Sequence, residues 1–158
     1  MSIKIIDNFL DTEYFEFLNQ NFLNSFFPWY YQNGKVYKND NNFQYTHLFF
    51  DNNKINSNHF HLIEELLTKL AVKTLVRIKL NMEPKNEVIK SYTFHKDNDY
   101  NCNTAILYMN TNNGKTLFKD KKVNSVKNRI VIFNSNIEHT GTSTTNADYR
   151  MVLNLNYF

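Results

Sequence analysis

Residues 74–82 read Thr74-Leu75-Val76-Arg77-Ile78-Lys79-Leu80-Asn81-Met82. Val76, Ile78, Leu80 and Met82 alternate with Arg77, Lys79 and Asn81, the two-residue period of a strand with one apolar and one polar face. Downstream the pattern continues in short runs: Val88–His95, Asn103–Asn110, Lys115–Lys119, Arg129–Phe133, Ile137–Gly141 and Tyr149–Tyr157. Turn residues separate several of them, at Asn112-Asn113-Gly114, Asn134-Ser135-Asn136 and Thr145-Asn146-Ala147-Asp148. Upstream the character is different. Ile3–Ile6 reads as a short strand, and Asp11 as the cap of a helix over Glu13–Asn24 with Phe15, Leu18, Phe22 and Leu23 at helical spacing. Phe26–Tyr31 is an aromatic patch interrupted by Pro28, Asn33–Asn42 a polar loop and Phe43–Phe50 a weak strand. A second helix is expected over His59–Lys73, with Leu62, Leu66, Leu67 and Leu70 on one face. Two helices followed by a run of short strands predict an α+β fold: a jelly-roll barrel with two N-terminal helices packed outside. A single domain is expected over 1–158, with 1–74 mainly helical support and 75–158 the core jelly roll.

The composition bounds the function. The chain has 158 residues, 42% hydrophobic and 21% charged, with 14 Phe and 10 Tyr, which suits a packed core. No apolar run reaches the ~18–20 residues of a membrane span, and Met1–Asp7 lacks the apolar stretch of a signal peptide. Cys102 is the only cysteine, which excludes an internal disulfide and a Cys-based zinc site; a cytoplasmic setting is expected. The net charge of +3 is too small to argue for nucleic acid. About one residue in six is Asn, against 3 Gly, which we read as an AT-rich genome's bias and not as low complexity.

The chemistry concentrates late in the chain. His95-Lys96-Asp97 sits at a strand end, where residues i and i+2 point to one face. His139 follows at the start of another short strand. Two imidazoles and one carboxylate are the ligand set of non-haem Fe(II) oxygenases, which leaves open positions for a cosubstrate and O₂. Arg150 lies on the next strand, and its guanidinium could hold a carboxylate in bidentate fashion.

His95-x-Asp97, His139 and Arg150 resemble the Fe(II)/2-oxoglutarate-dependent dioxygenases. Ile106-Leu107-Tyr108-Met109-Asn110 with Asn113-Gly114 looks like the strand after the HxD motif in their prolyl-4-hydroxylase-like branch. Asn128–Phe133 before His139-Thr140-Gly141 is similar to small hydroxylase-like proteins of marine phages and their hosts. The resemblance covers about Leu75–Phe158 and implies a double-stranded β-helix. It implies Fe(II) on His95, Asp97 and His139, with no further catalytic residue. It implies 2-oxoglutarate as cosubstrate with its C5 carboxylate on Arg150 and the Tyr108 hydroxyl; Asn154, of Arg150's strand parity, and Asn81, on the strand before the HxD loop, are the other cosubstrate contacts. The implied reaction consumes O₂, releases succinate and CO₂, and hydroxylates a peptidyl-prolyl or other small or peptidyl substrate.

Other readings stay open on the sequence. A cupin-like jelly roll could bind a metal or ligand without turnover. A nucleic-acid-acting member of the same superfamily would need a stacking, basic surface, for which Trp29, Tyr30, Tyr31, Lys35, Tyr37 and Lys38 are the candidates. His59 and His61 sit at a helix start, where i and i+2 diverge, and are not expected to share a metal. His47 reads as half-buried packing, Cys102 as a plain small side chain and Lys119–Lys122 as a solvated hairpin turn.

Overall fold

A computed structural model describes residues 3–36 and 42–158. Two strands organise it: β5 (Leu75–Pro84) and β11 (Tyr149–Tyr157). They pair antiparallel, with Asn81 opposite Val152 and Lys79 opposite Asn154. β11 pairs on its other side with β6 (Asn103–Tyr108), and β6 with β9 (Arg129–Asn134). β1 (Lys4–Ile6) completes that edge. Beyond β5 come β3 (Phe43–Asp51) and β2 (Tyr30–Asn33), with β4 (Lys54–Ile55) beside β3, so the sheet has eight strands. A second sheet of three strands runs in the order β10 (His139–Gly141), β7 (Lys115–Phe118), β8 (Lys122–Asn124). The architecture is α+β and jelly-roll-like, with helices flanking the large sheet.

Alternation decides what each face meets. Ile78 and Leu80 of β5 and Met151, Leu153 and Leu155 of β11 point to one face and are buried there. On them pack Phe15, Leu18 and Phe22 of α1 (Thr12–Phe22), with Ile63 and Leu66 from a 3-10 turn (Phe60–Ile63) and α2 (Glu64–Lys69). The Tyr14 hydroxyl donates to Leu62 O at 2.7 Å and accepts from Leu66 N, which ties the two helical segments together. On the opposite face Ile106, Tyr108, Val131, Phe133 and Val152 pack against Phe118 and Val123 of the small sheet. Each fully buried aliphatic or aromatic side chain contributes about 1.5–3 kcal/mol.

Three expectations need correction. The first 74 residues are mixed and not mainly helical support, because β2, β3 and β4 extend the large sheet. The helix expected over His59–Lys73 splits into the 3-10 turn and a six-residue α2, and it stops where Ala71 turns to φ 52°. Val88–His95 forms no ladder among the described residues; it runs beside 139–143 with isolated β-bridges at Ser91–Thr142 and His95–His139. Its apolar residues Val88, Ile89 and Phe94 are covered by no second strand among the described residues and are exposed there. The aromatic patch divides after Pro28: Trp29 packs against the core with its Nε1 donating to Phe22 O, while Tyr30 and Tyr31 continue as the edge strand β2. Tyr37 and Lys38, two of the residues considered for a stacking surface, lie outside the described residues.

The abundant asparagine has a structural use. Among the described residues Asn8, Asn52, Asn53 and Asn128 adopt positive φ, the conformation that glycine otherwise supplies. Asn128 also clamps the N-terminal segment, donating to Leu10 O and accepting from Leu10 N.

His47 is buried among Phe27, Phe49 and His59, its ring nitrogens 2.7 Å from Pro28 O and 2.6 Å from Ser57 Oγ. Burial lowers its proton affinity below the ordinary imidazole value. An unfolded chain therefore binds a proton that the folded chain resists, and stability falls as pH drops below about 6.5. Urea midpoints of metal-free protein are expected to decline from pH 7 to pH 5, with a shallower decline in His47→Phe.

Candidate metal centre and its cavity

His95 and His139 are cross-strand partners, joined by two backbone hydrogen bonds of 3.0 Å. Asp97, two residues on, is fixed by its own N–H donating to Ser135 O. This local pairing brings the imidazoles of two distant segments side by side, ring centroids 4.8 Å apart. The two Nε2 atoms lie 3.7 Å and 3.8 Å from Asp97 Oδ1, and the ligand atoms of all three residues fall within 4.8 Å of one another.

The surrounding hydrogen bonds prepare these atoms for a cation. Each Nδ1 faces the carbonyl two residues earlier, His95 to Thr93 O and His139 to Ile137 O, at 3.2 Å and 3.1 Å. Donation from Nδ1 fixes the tautomer and leaves the Nε2 lone pair aimed at the centre. Asp97 divides its oxygens. Oδ2 accepts from Asn156 Nδ2 at 2.9 Å and Thr104 Oγ1 at 3.0 Å, and Oδ1 faces the imidazoles. Burial pushes the Asp97 carboxyl up, but His139, the Asn156 hydrogen bond, Arg77 and His95 outweigh it and hold it below the usual carboxylate value. Burial lowers His139, with Asp97 opposing. A carboxylate and two neutral imidazoles are the donor set that suits a divalent ion of intermediate softness such as Fe(II).

The triad opens into a cavity of about 600 Å³ between the two sheets. The same alternation that buries Leu153 and Leu155 on the helical side turns Arg150, Val152 and Asn154 into this space, and turns Arg77, Lys79, Asn81 and Glu83 of β5 with them. Arg150 is buried. Its Nε donates to Ser125 Oγ at 3.1 Å and its Nη2 reaches Thr116 Oγ1 and Lys115 O. All three partners are neutral, so the guanidinium keeps its charge for a ligand. Gly114 and Gly141 make room for it: a Cβ on Gly114 would stand 2.6 Å from Arg150 Cδ. Tyr108 is fully buried behind this group and donates its hydroxyl to Thr116 Oγ1 at 2.7 Å, so it meets the cavity through Thr116. Asn81 Oδ1 and Asn154 Oδ1 are buried without a hydrogen-bond partner. Burial pushes the Lys79 ammonium down to about 8, with Arg77 adding to the effect and Asp97 and Asp51 opposing it.

Several residues that matter here carry no motif. Asn156 and Thr104 orient Asp97; Asn156 shares the parity of 150, 152 and 154, which was the available signal. Glu83 gathers the Tyr92 hydroxyl and the Lys35 ammonium, and Lys35 also stacks 3.9 Å from the Tyr92 ring centroid. Nothing in the sequence links Lys35 to these partners. His59 and His61 stay apart from the triad. Cys102 is buried and free. No helix among the described residues is long and apolar enough to cross a membrane.

No family model and no curated protein matches the sequence. Solved structures do. A prolyl hydroxylase from Trichoplax adhaerens, solved with a peptide of the hypoxia inducible factor oxygen degradation domain, superposes with a TM-score of 0.71 at 17% identity, over 99% of this chain and 83% of that one. A Pseudomonas putida prolyl-4-hydroxylase gives 0.66 at 13% identity, over 98% and 91%. The viral collagen prolyl hydroxylase of Paramecium Bursaria Chlorella virus-1, in its 2-oxoglutarate complex, gives 0.62 at 15% identity, over 99% and 95%. This chain shares the jelly-roll-like fold of these solved hydroxylase structures, and its His-Asp-His cluster lies at the cavity.

Proposed function

We propose that the chain is an Fe(II)- and 2-oxoglutarate-dependent oxygenase that hydroxylates a peptidyl-prolyl or other small or peptidyl substrate, the whole chain acting as one domain closed as a double-stranded β-helix. The observation that carries this is the opposition, in one cavity, of the His95/Asp97/His139 donor set and a buried Arg150 with only neutral partners. When bound, iron and the diacid supply the chemistry: 2-oxoglutarate, O₂ and a C–H substrate become succinate, CO₂ and the hydroxylated product.

The protein's residues supply placement. His95, Asp97 and His139 would hold the ion, their other polar atoms being engaged by Thr93, Ile137, Asn156 and Thr104. Arg150 anchors the distal carboxylate at the far end of the cavity, and Tyr108 steadies that end through Thr116. Asn81 and Asn154 flank the diacid, with Nδ2 groups able to donate to its oxygens. A binding module without turnover would have no need of a second, charge-specific anchor opposite the metal.

Anaerobic addition of Fe(II) and 2-oxoglutarate is expected to give a weak visible charge-transfer band that Asp97→Ala abolishes; a persistent band in the variant overturns the ligand assignment. Asn156→Leu removes the donor behind Asp97 and is expected to weaken metal affinity by about 10–100-fold in chelator competition. Gly114→Ala pushes on the Arg150 stem, so the Kd for 2-oxoglutarate is expected to rise about tenfold or more with metal affinity kept, in line with losing about 1.4 kcal/mol or more of a charge-assisted contact.

A further inference from the structure

Among the charged residues that line the cavity, Lys96, Asp99 and Glu138 are exposed, and most of the less exposed ones are engaged. Arg77 faces Asp97 at 3.9 Å and Lys35 is paired with Glu83. Arg150 has its own neutral cradle and, in the reading above, its own ligand. Lys79 is different. Its side chain lines the cavity, yet its ammonium has no hydrogen bond and no ion pair among the described residues. Asp97 and Asp51 act on it only from a distance; an ammonium inside a cavity with no counter-charge in contact is costly, and an anion placed there recovers that cost.

Its neighbours lack partners as well. Asn154 is directly opposite Lys79 across the β5–β11 ladder, and Asn81 is two residues along β5 on the same face. Each has a buried carbonyl oxygen that accepts nothing. A buried unsatisfied acceptor costs about 1–3 kcal/mol, and two side by side ask for a ligand with N–H groups to give. The 2-oxoglutarate dianion offers only acceptors, so it cannot satisfy these oxygens. The patch therefore combines one cation with two adjacent acceptors, and it lies in the same cavity as the metal triad.

We propose that this patch is the substrate's recognition site, and that the substrate presents a carboxylate to Lys79 and an adjacent N–H donor to Asn81 Oδ1 and Asn154 Oδ1. An α-amino acid has that chemistry, whether free, with its ammonium as donor, or as the last residue of a chain, with its amide N–H. The inference rests on the oxygenase reading and narrows its substrate to a compound with a free α-carboxylate. The interior of a long peptide lacks one.

The test uses protein loaded with Zn(II), which is redox-inert, and saturated with 2-oxoglutarate. It is titrated calorimetrically with the free L-amino acids, their primary amides and their N-acetyl derivatives. At least one acid is expected to bind about tenfold or more tightly than its amide, as a charge-assisted contact requires. Lys79→Met is expected to erase that preference and Lys79→Arg to keep it, while the Kd for 2-oxoglutarate stays within about threefold of the wild type in both, which also shows that they fold. Binding of the N-acetyl acid as well as the free one assigns a chain terminus as the source; binding of the free acid alone assigns a free amino acid. Acids and amides that bind alike, or an absence of binding by any acid, overturn the proposal, and so does a Lys79→Met that loses 2-oxoglutarate. Wild-type protein that fails to bind 2-oxoglutarate removes the oxygenase reading itself, a result distinct from the others.

Discussion

The antiparallel pairing of β5 with β11 is the constraint on which the molecule depends. Its register sets Arg150 against Glu83, Val152 against Asn81 and Asn154 against Lys79. One face of this ladder is aliphatic and roofed by the helices; the other is polar and walls the cavity. A slip of one residue would exchange the faces, putting Leu153 and Leu155 into the cavity and Arg150 under the helices. The core and the site are thus specified by one alternation, and the burial of one enforces the geometry of the other.

Asp97 shows how that alternation reaches the metal centre. A buried carboxylate is expensive, and here its cost is offset by two donors on one oxygen and by cationic or polarisable neighbours on the other. Asn156, one of those donors, comes from the same strand as Arg150. A single rigid strand therefore braces the metal ligand with one end and presents the guanidinium with the other.

Much of this was legible in the sequence, for reasons that can be named. Thr74–Met82 and Tyr149–Tyr157 alternate strongly because both of their faces are used. The meeting of His95, Asp97 and His139 was readable because HxD forces two side chains to one face and few other histidines compete. The failures have causes as well. Val88–His95 alternates like a strand but forms only two isolated β-bridges among the described residues. The second helix ends early at Ala71, a residue that carries no breaker signal. Tyr30–Asn33 gave no strand signal because its strand character comes from pairing with β3 and not from its own pattern. The Lys35–Glu83–Tyr92 cluster joins segments far apart in sequence, which no local reading can bring together.

The cradle of Arg150 has a consequence for the economy of the fold. Its guanidinium is buried against two hydroxyls and a carbonyl, with no ion pair among the described residues. The resting chain carries that electrostatic debt, and a dicarboxylate that settles there binds the folded form and not the unfolded one. Such linkage is worth about 2.7 kcal/mol at a hundredfold excess over Kd, a large share of a small domain's stability. Resistance to heat and proteolysis would then rise with the concentration of that dicarboxylate.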